Sequence, residues 1–127
     1  QNEIKAFDFD GILIAERSSI SVLDIFSPVL CTNLEVSILR DLKCLSTPKE
    51  PDVVIYLRTP PNICFERIIK RGRNEEKLLN MQYIKRLHNM HENLFIHEYN
   101  RFKKLIHTDG TNDIDSVVVN TLNKIFT

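Results

Sequence analysis

The sequence predicts an α/β domain, a parallel sheet covered by helices, and three observations carry this. The runs GILIAE (Gly11 to Glu16) and DVVIYLR (Asp52 to Arg58) are apolar without polar alternation, as strands buried on both faces are. Apolar stripes at helical spacing lie between and after them. Strands that alternate with helices build an α/β architecture. The 127 residues suffice for a single domain with one core, taken as 1–127.

Taken in order, Gly11 to Glu16 is the first expected strand, and a helix is expected from about Leu34 to Leu42. Asp52 to Arg58 is the second strand, rich in β-branched residues. TPPN follows: Thr59 suits a helix cap and Pro60 the first helical position. In that helix Ile63, Cys64 and Ile68 turn toward the sheet, while Arg67 and Arg71 share another face. The helix ends near Lys70, and Gly72 loosens the backbone beyond it. From Met81 onward, Tyr83, Leu87, Met90 and Leu94 recur at helical spacing among Lys85, Arg86 and Glu92. KLIHTD (Lys104 to Asp109) is a third, weaker strand. Ile114, Val117, Val118, Leu122 and Ile125 form the last helical stripe, capped by Asn112 or Asp113.

Composition excludes several classes. Lys plus Arg and Asp plus Glu both number 17, so the basic field of a general nucleic-acid binder is missing. A local anion site remains compatible with that balance. The three cysteines, Cys31, Cys44 and Cys64, form no Cys-x-x-Cys pair, which points to buried thiols in a reducing compartment rather than to zinc or a disulfide framework. No apolar run approaches the length of a membrane span, and no signal-peptide pattern is present. The expected location is the cytoplasm, with mitochondrial or viral origin left open. Because the chain begins with Gln1, a processed chain or a part of a longer one is expected.

In such sheets ligands sit beyond the carboxyl ends of the strands. AERSS (Ala15 to Ser19) and TDGTND (Thr108 to Asp113) lie at two such ends, and IIKRGRNEEK (Ile68 to Lys77) follows a helix. These segments are expected to converge on one crevice. Arg67 and Arg71 lie one turn apart, and beyond Gly72 the chain can bring Arg73 back toward them. Guanidiniums so gathered repel one another unless anions fill the space, and phosphate oxygens suit their rigid fork of donors. Glu75 and Glu76 can neutralise the cluster when it is empty, or accept from a sugar hydroxyl. The alternative is a solvated basic helix end, favourable to the helix dipole. Glu16 can hold magnesium, chiefly through water, and Arg17 can stabilise a transferring phosphoryl group; the alternative is an exposed strand end with a surface ion pair. His88 and His91 lie three apart on a helix without a third ligand beyond Glu92, so packing is expected there rather than a metal. Thr108 and Thr111 can meet a base edge, although turn structure explains DGTN equally well.

The segments ERSSISVLDIF, PDVVIYLRTPPNICFERIIKRGRNEE and YIKRLHNMHENLF together resemble the deoxyribonucleoside kinases, which include deoxycytidine, deoxyguanosine and mitochondrial-type thymidine kinases. The resemblance runs from about Leu13 to Phe95 and more weakly to the end. It implies a three-layer, P-loop-kinase-like parallel sheet with flanking helices, lacking the N-terminal P-loop segment. It further implies transfer of the ATP γ-phosphate to a deoxynucleoside 5′-hydroxyl, with ATP and Mg2+ as cofactors, a homodimer, and neither a nucleic-acid polymer nor a membrane as partner. By position, Glu16 matches the acidic residue tied to magnesium and the reaction centre, and Arg17 the arginine near the 5′-hydroxyl and the transferred phosphate. Arg67, Arg71 and Arg73 match the arginines of the helix and lid (about 67–77) that gather ATP phosphates, with Arg71 and Arg73 counted as catalytic. Glu76 matches the lid glutamate that reaches the sugar 3′-hydroxyl. Asp109, Gly110, Thr111, Asn112 and Asp113 occupy the place of the adenine-contacting loop.

Two departures stand out. No Gly-x-x-x-x-Gly-Lys-Ser/Thr occurs in the chain, so the resemblance places this loop and the general base before Glu16 and makes the chain the C-terminal portion of a kinase. Val22 stands where the family has an aspartate near the nucleobase, and Asp24 is displaced by two positions. The rival expectations are a catalytically inactive kinase remnant that acts as a dimerisation or folding partner, with the Leu34–Leu42 helix as its face, and a thymidylate-kinase-like nucleotide kinase.

Overall fold

A computed structural model describes residues 11–17, 19–45 and 50–127; of Cys44 only the backbone is described. The chain divides into two compact units, Gln1–Glu50 and Pro51–Thr127, and each is described by itself.

In the first unit a π-helical segment, Ser21–Phe26, runs directly into the short helix α1, Ser27–Leu30. Ser27 is buried, and its hydroxyl donates to the Val22 carbonyl at 2.6 Å, so the wide turn leaves that oxygen satisfied. Leu23 and Ile25 are the buried apolar residues here. Helix α2, Asn33–Cys44, contains the expected Leu34 to Leu42 span. Its start is a capping box: the Thr32 hydroxyl accepts from the Glu35 amide, and the Glu35 carboxylate accepts from the Thr32 amide at 2.7 Å. The Glu35 carboxylate also accepts from the Thr32 hydroxyl at 2.8 Å, and the two hydrogen bonds it receives from Thr32, amide and hydroxyl, hold the Glu35 carboxyl below the usual range.

The expected first strand does not form. Among the described residues Gly11 to Glu16 pairs with no strand, and Ile12, Leu13 and Ile14 are 76, 65 and 88 % exposed. An apolar run supplies side chains able to pack, but a strand exists only when a neighbouring backbone completes its ladder.

In the second unit, β1 (Val54–Arg58) and β2 (Leu105–Asp109) pair in parallel, with Val54 beside Leu105 and Arg58 beside Asp109. Side chains alternate between faces. Tyr56, His107 and Arg58 therefore share one face, and Ile106 and Thr108 the other. Tyr56 meets Phe95 (ring centroids 4.8 Å apart) and stacks on His91. Thr108 meets Thr121 of the last helix at 3.0 Å. Helices thus cover both faces, a small version of the expected three layers. The core comprises Tyr56, Ile84, Leu94, Phe95 and Ile106, and Phe95 also packs on Phe102; each such ring pair adds about 0.5–1.5 kcal/mol beyond its buried area.

Helix α3, Pro61–Arg71, starts one residue later than expected: Pro60 caps it in an extended conformation, Pro61 takes the first turn, and Thr59 makes no side-chain cap. A residue before proline is pushed out of the helical region. Because Pro60 itself precedes Pro61, only Pro61 can enter the helix. Ile63, Cys64 and Ile68 are half-buried. Cys31 and Cys64 are half-buried rather than fully buried, and burial pushes the Cys64 thiol up.

Gly72 ends α3 in the left-handed conformation, φ 66°, with its amide on the Ile68 carbonyl. A 3₁₀ turn, Asn74–Glu76, leads toward helix α4, Met81–Glu92, which Asn80 caps and which packs on α3. The chain winds on as a π-helical turn, Asn93–His97, and a 3₁₀ turn, Tyr99–Arg101. The last helix, α5 (Ile114–Phe126), packs on β2 and is capped by Asp113, whose carboxylate accepts from the Ser116 amide at 3.0 Å. No described helix is long and apolar enough to cross a membrane.

Candidate functional site

The site residues fall into one group per unit. In the first unit, Glu16 and Arg17 lie at the end of the irregular Gly11–Glu16 segment. Glu16 Oε1 is 3.9 Å from Arg17 Nε, a loose and exposed pair. Arg17 is the one described non-glycine residue at positive φ, 65°, a strained conformation for a branched-off side chain. Its guanidinium lies over the Phe26 ring, 4.9 Å from the centroid, a cation–π contact that offsets part of the strain. Ser18 of the Glu-Arg-Ser motif lies outside the described residues. Val22 is half exposed, and Asp24 sits 3.8 Å from Arg40 of α2.

The second unit holds the 67–77 segment, expected as a lid, and the 109–113 turn. Gly72 reverses the chain after α3, so Glu76 returns to Arg71. Arg71 Nη2 donates to Glu76 Oε1 at 2.5 Å and its Nε to Oε2 at 3.1 Å, a two-point guanidinium–carboxylate pair. Arg73 is exposed between them; its carbonyl accepts from the Glu76 amide at 3.1 Å, while among the described residues its guanidinium makes no hydrogen bond or ion pair. Arg67 points elsewhere: its Nη1 donates to the Gly110 carbonyl at 2.8 Å. The structure therefore joins Arg71 with Glu76 and Arg67 with Gly110, and does not gather the three guanidiniums about one point.

The turn is built by its own side chains. Asp109 Oδ1 accepts from the Thr111 amide at 2.9 Å and from its hydroxyl at 2.7 Å, an Asx turn. These bonds hold the Asp109 carboxyl below its ordinary range, as the bonds from Ser116 do for Asp113. Gly110 lies so close to β1 that a Cβ there would come within 2.0 Å of Thr59 Oγ1 and 3.0 Å of Leu57 Cγ. Its amide donates to the Arg58 carbonyl at 2.9 Å.

One cluster was not legible as a site. Glu92 of α4 accepts from the Tyr56 hydroxyl at 2.7 Å and from Arg58 Nη2 at 2.6 Å, with Arg58 Nε at 3.0 Å. Hydrogen bonds from Arg58 hold the Glu92 carboxyl below its ordinary range, while burial, reinforced by Glu92, raises the Tyr56 hydroxyl. His91 Nδ1 hydrogen-bonds the Leu87 carbonyl at 2.7 Å, so it serves packing as expected. Among the described residues no group of three or more His, Cys, Asp or Glu could hold a metal. A lone exposed carboxylate such as Glu16 still fits Mg2+, which keeps several waters and takes one or two carboxylates alongside phosphates.

The family model described as deoxynucleoside kinase matches residues 1–125. The chain belongs to the deoxynucleoside kinase family. Within that family it is 42 % identical over 45 residues to mitochondrial thymidine kinase 2 of Homo sapiens, a match covering 35 % of this chain and 17 % of that protein. It is 51 % identical over 43 residues to deoxycytidine kinase 2 of Gallus gallus, covering 34 % and 16 % respectively. Among solved structures, the deoxyadenosine kinase of M. mycoides with bound dCTP superimposes with a TM-score of 0.65 at 26 % identity, over 73 % of this chain and 48 % of that one. The chain thus spans about half of that deoxynucleoside kinase, and its matches to the curated relatives cover less than a fifth of their length.

Proposed function

We propose that this chain carries the lid, the Glu-Arg-Ser segment and the base-contacting turn of a deoxynucleoside kinase, which moves the γ-phosphate of ATP to the 5′-hydroxyl of a deoxynucleoside. The lid carries the reading. Arg71 and Glu76 face each other across Gly72, so one short segment offers both a fork of donors for phosphate and a carboxylate for a sugar hydroxyl. Arg73 adds an exposed guanidinium beside them. In this reading Arg71 and Arg73 bind the transferring phosphates, where positioning and charge stabilisation supply most of the rate. Glu76 accepts from the 3′-hydroxyl. Arg17 orients the 5′-hydroxyl and the transferred group, and Glu16 holds magnesium through water. When bound, that ion neutralises phosphate charge. Arg67 and Asp109 to Asp113 form the nucleotide-binding side, with the turn against the adenine. The exposed stripe of Leu34, Ile38 and Leu42 on α2 supports pairing with a second copy.

The test is incubation of the protein with Mg2+, labelled ATP and each of the four deoxynucleosides, alongside calorimetric titration of each ligand. Label in a nucleoside monophosphate supports the proposal. Binding of neither ATP nor any deoxynucleoside overturns it. Deoxynucleoside binding without transfer would make the chain a non-catalytic partner, and a preference for a monophosphate acceptor would point to a thymidylate-kinase-like enzyme.

A further inference from the structure

From the contacts that meet at the end of β1, we infer that Arg58 and Glu92 are positioning residues for the 109–113 turn. The inference rests on the reading of that turn as the contact for the nucleotide base. A continuous run of hydrogen bonds links four elements. Tyr56 and Arg58, both on one face of β1, grip the Glu92 carboxylate at the end of α4. The Arg58 carbonyl accepts from the Gly110 amide at 2.9 Å. The Gly110 carbonyl in turn accepts from Arg67 of α3 at 2.8 Å.

Packing reinforces this run independently. Gly110 rests on Leu57, Arg58 and Thr59 with no room for a Cβ, so a shift of the β1 end must move the turn. The Arg58 guanidinium is positioned by a side-chain pair rather than by the ladder. With two of its nitrogens on one carboxylate and a tyrosine hydroxyl orienting that carboxylate, it has little freedom to turn. Arg67 then acts from the opposite side as a second holder of the turn. The consequence for function is selective. Loosening the Arg58–Glu92 pair should weaken recognition of the base while leaving phosphate recognition by Arg71 and Arg73 untouched, since those residues share no contact with the pair.

The test uses the full chain carrying Arg58→Met, Arg58→Lys or Glu92→Gln. Amide exchange is followed by NMR at Gly110 and, as a control, at Ile84 inside α4. Calorimetry compares ATP with inorganic tripolyphosphate, each with Mg2+. In Arg58→Met, Gly110 exchange should rise roughly two- to fivefold, the size of one ion pair, with Ile84 unchanged. Arg58→Lys should recover part of the protection. The margin of ATP over tripolyphosphate should shrink by a similar factor, while tripolyphosphate affinity holds. Unchanged exchange at Gly110, or an equal rise at Gly110 and Ile84, overturns the positioning role. A wild-type chain that binds ATP no better than tripolyphosphate overturns the base-contact reading of the turn, and the exchange result then decides the positioning role separately.

Discussion

The lid and the 109–113 turn are both chain reversals that follow a regular element, yet they are held by different kinds of contact. The lid is held locally. Its main tie, Arg71 to Glu76, joins residues five apart and is half open to water. The turn is held from afar. Gly110 is fixed by Arg58 of β1 and Arg67 of α3, and packs against Leu57 and Thr59. A local, solvated ion pair is worth little and yields readily to a competing ligand. A turn wedged against β1 and tied to α3 keeps its shape whether or not a ligand is present. The difference assigns separate tasks in the proposed kinase: a turn preorganised for the base and a lid whose charges are free to exchange partners.

The sharpest way to break this contrast is Gly110→Ala. The added methyl would meet Thr59 Oγ1 and Leu57 Cγ well inside contact distance, and overpacking of that kind costs about 1–3 kcal/mol. Thermal unfolding should show the loss. If the clash with the Thr59 side chain is its main part, Thr59→Ala in the same chain should restore a measurable share. A Gly110→Ala protein as stable as the wild type would mean that the turn is not wedged.

Gly72→Ala makes the matching demand on the lid. Here space is ample, since the nearest atom to an added Cβ is the Ile69 carbonyl oxygen at 3.8 Å. Only the left-handed φ of 66° resists, which costs about 1 kcal/mol for alanine. Gly72→Asn should lose less, because asparagine tolerates that conformation. An alanine variant with unchanged stability would show that the lid reversal does not depend on this conformation.

The pair that anchors the turn should also leave a pH signature. The Glu92 carboxyl is held low in the folded chain, mainly by Arg58. Its contribution is present above the unfolded value near 4.5 and is lost as pH falls through the lower folded value. Tyr56 is raised, mainly by burial. Its contribution is complete below the unfolded value of 10.0 and is lost as pH climbs toward the folded one. Denaturant midpoints should therefore fall at both ends, with Glu92→Gln flattening the acid limb and Tyr56→Phe the alkaline limb. Limbs unaltered by these substitutions would remove the network from the account.

What could be read in the sequence follows the same local-versus-distant division. The β-branched run around Val54, the glycine after the Arg71 turn and a cap at Asn112 or Asp113 each announce themselves within a few residues, and the structure forms all three, with Asp113 as the cap. The Thr32–Glu35 capping box was equally local, written as Thr-x-x-Glu ahead of an apolar stripe. Gly11 to Glu16 read as a strand because its side chains suit one, but a ladder needs a partner that no local pattern names. Glu92 meets Arg58 across 34 positions, and spacing carries no sign of such a contact. Arg67 shares a helix face with Arg71 in the sequence, but nothing in the spacing announces the contact its guanidinium makes with a carbonyl 43 positions away. The turn's chemistry was visible, but the elements that hold it were not.

The smallest expected effect probes the lid's own tie. Glu76→Gln keeps the shape of the side chain and removes the charge that Arg71 grips. Because Arg71 is 46 % exposed, the stability change should be no more than about 0.5 kcal/mol, within the range of surface pairs. Ligand binding should respond in the opposite sense for the two substrates. Tripolyphosphate should bind more tightly, since Arg71 no longer has to leave a carboxylate, and a deoxynucleoside more weakly, since its 3′-hydroxyl loses a charged acceptor. Calorimetric titration of both ligands reads the two directions in one experiment. A variant that weakened both equally would mean that the Arg71–Glu76 pair supports the lid's shape, as Gly110 does for the turn, and the contrast between the two regions would collapse.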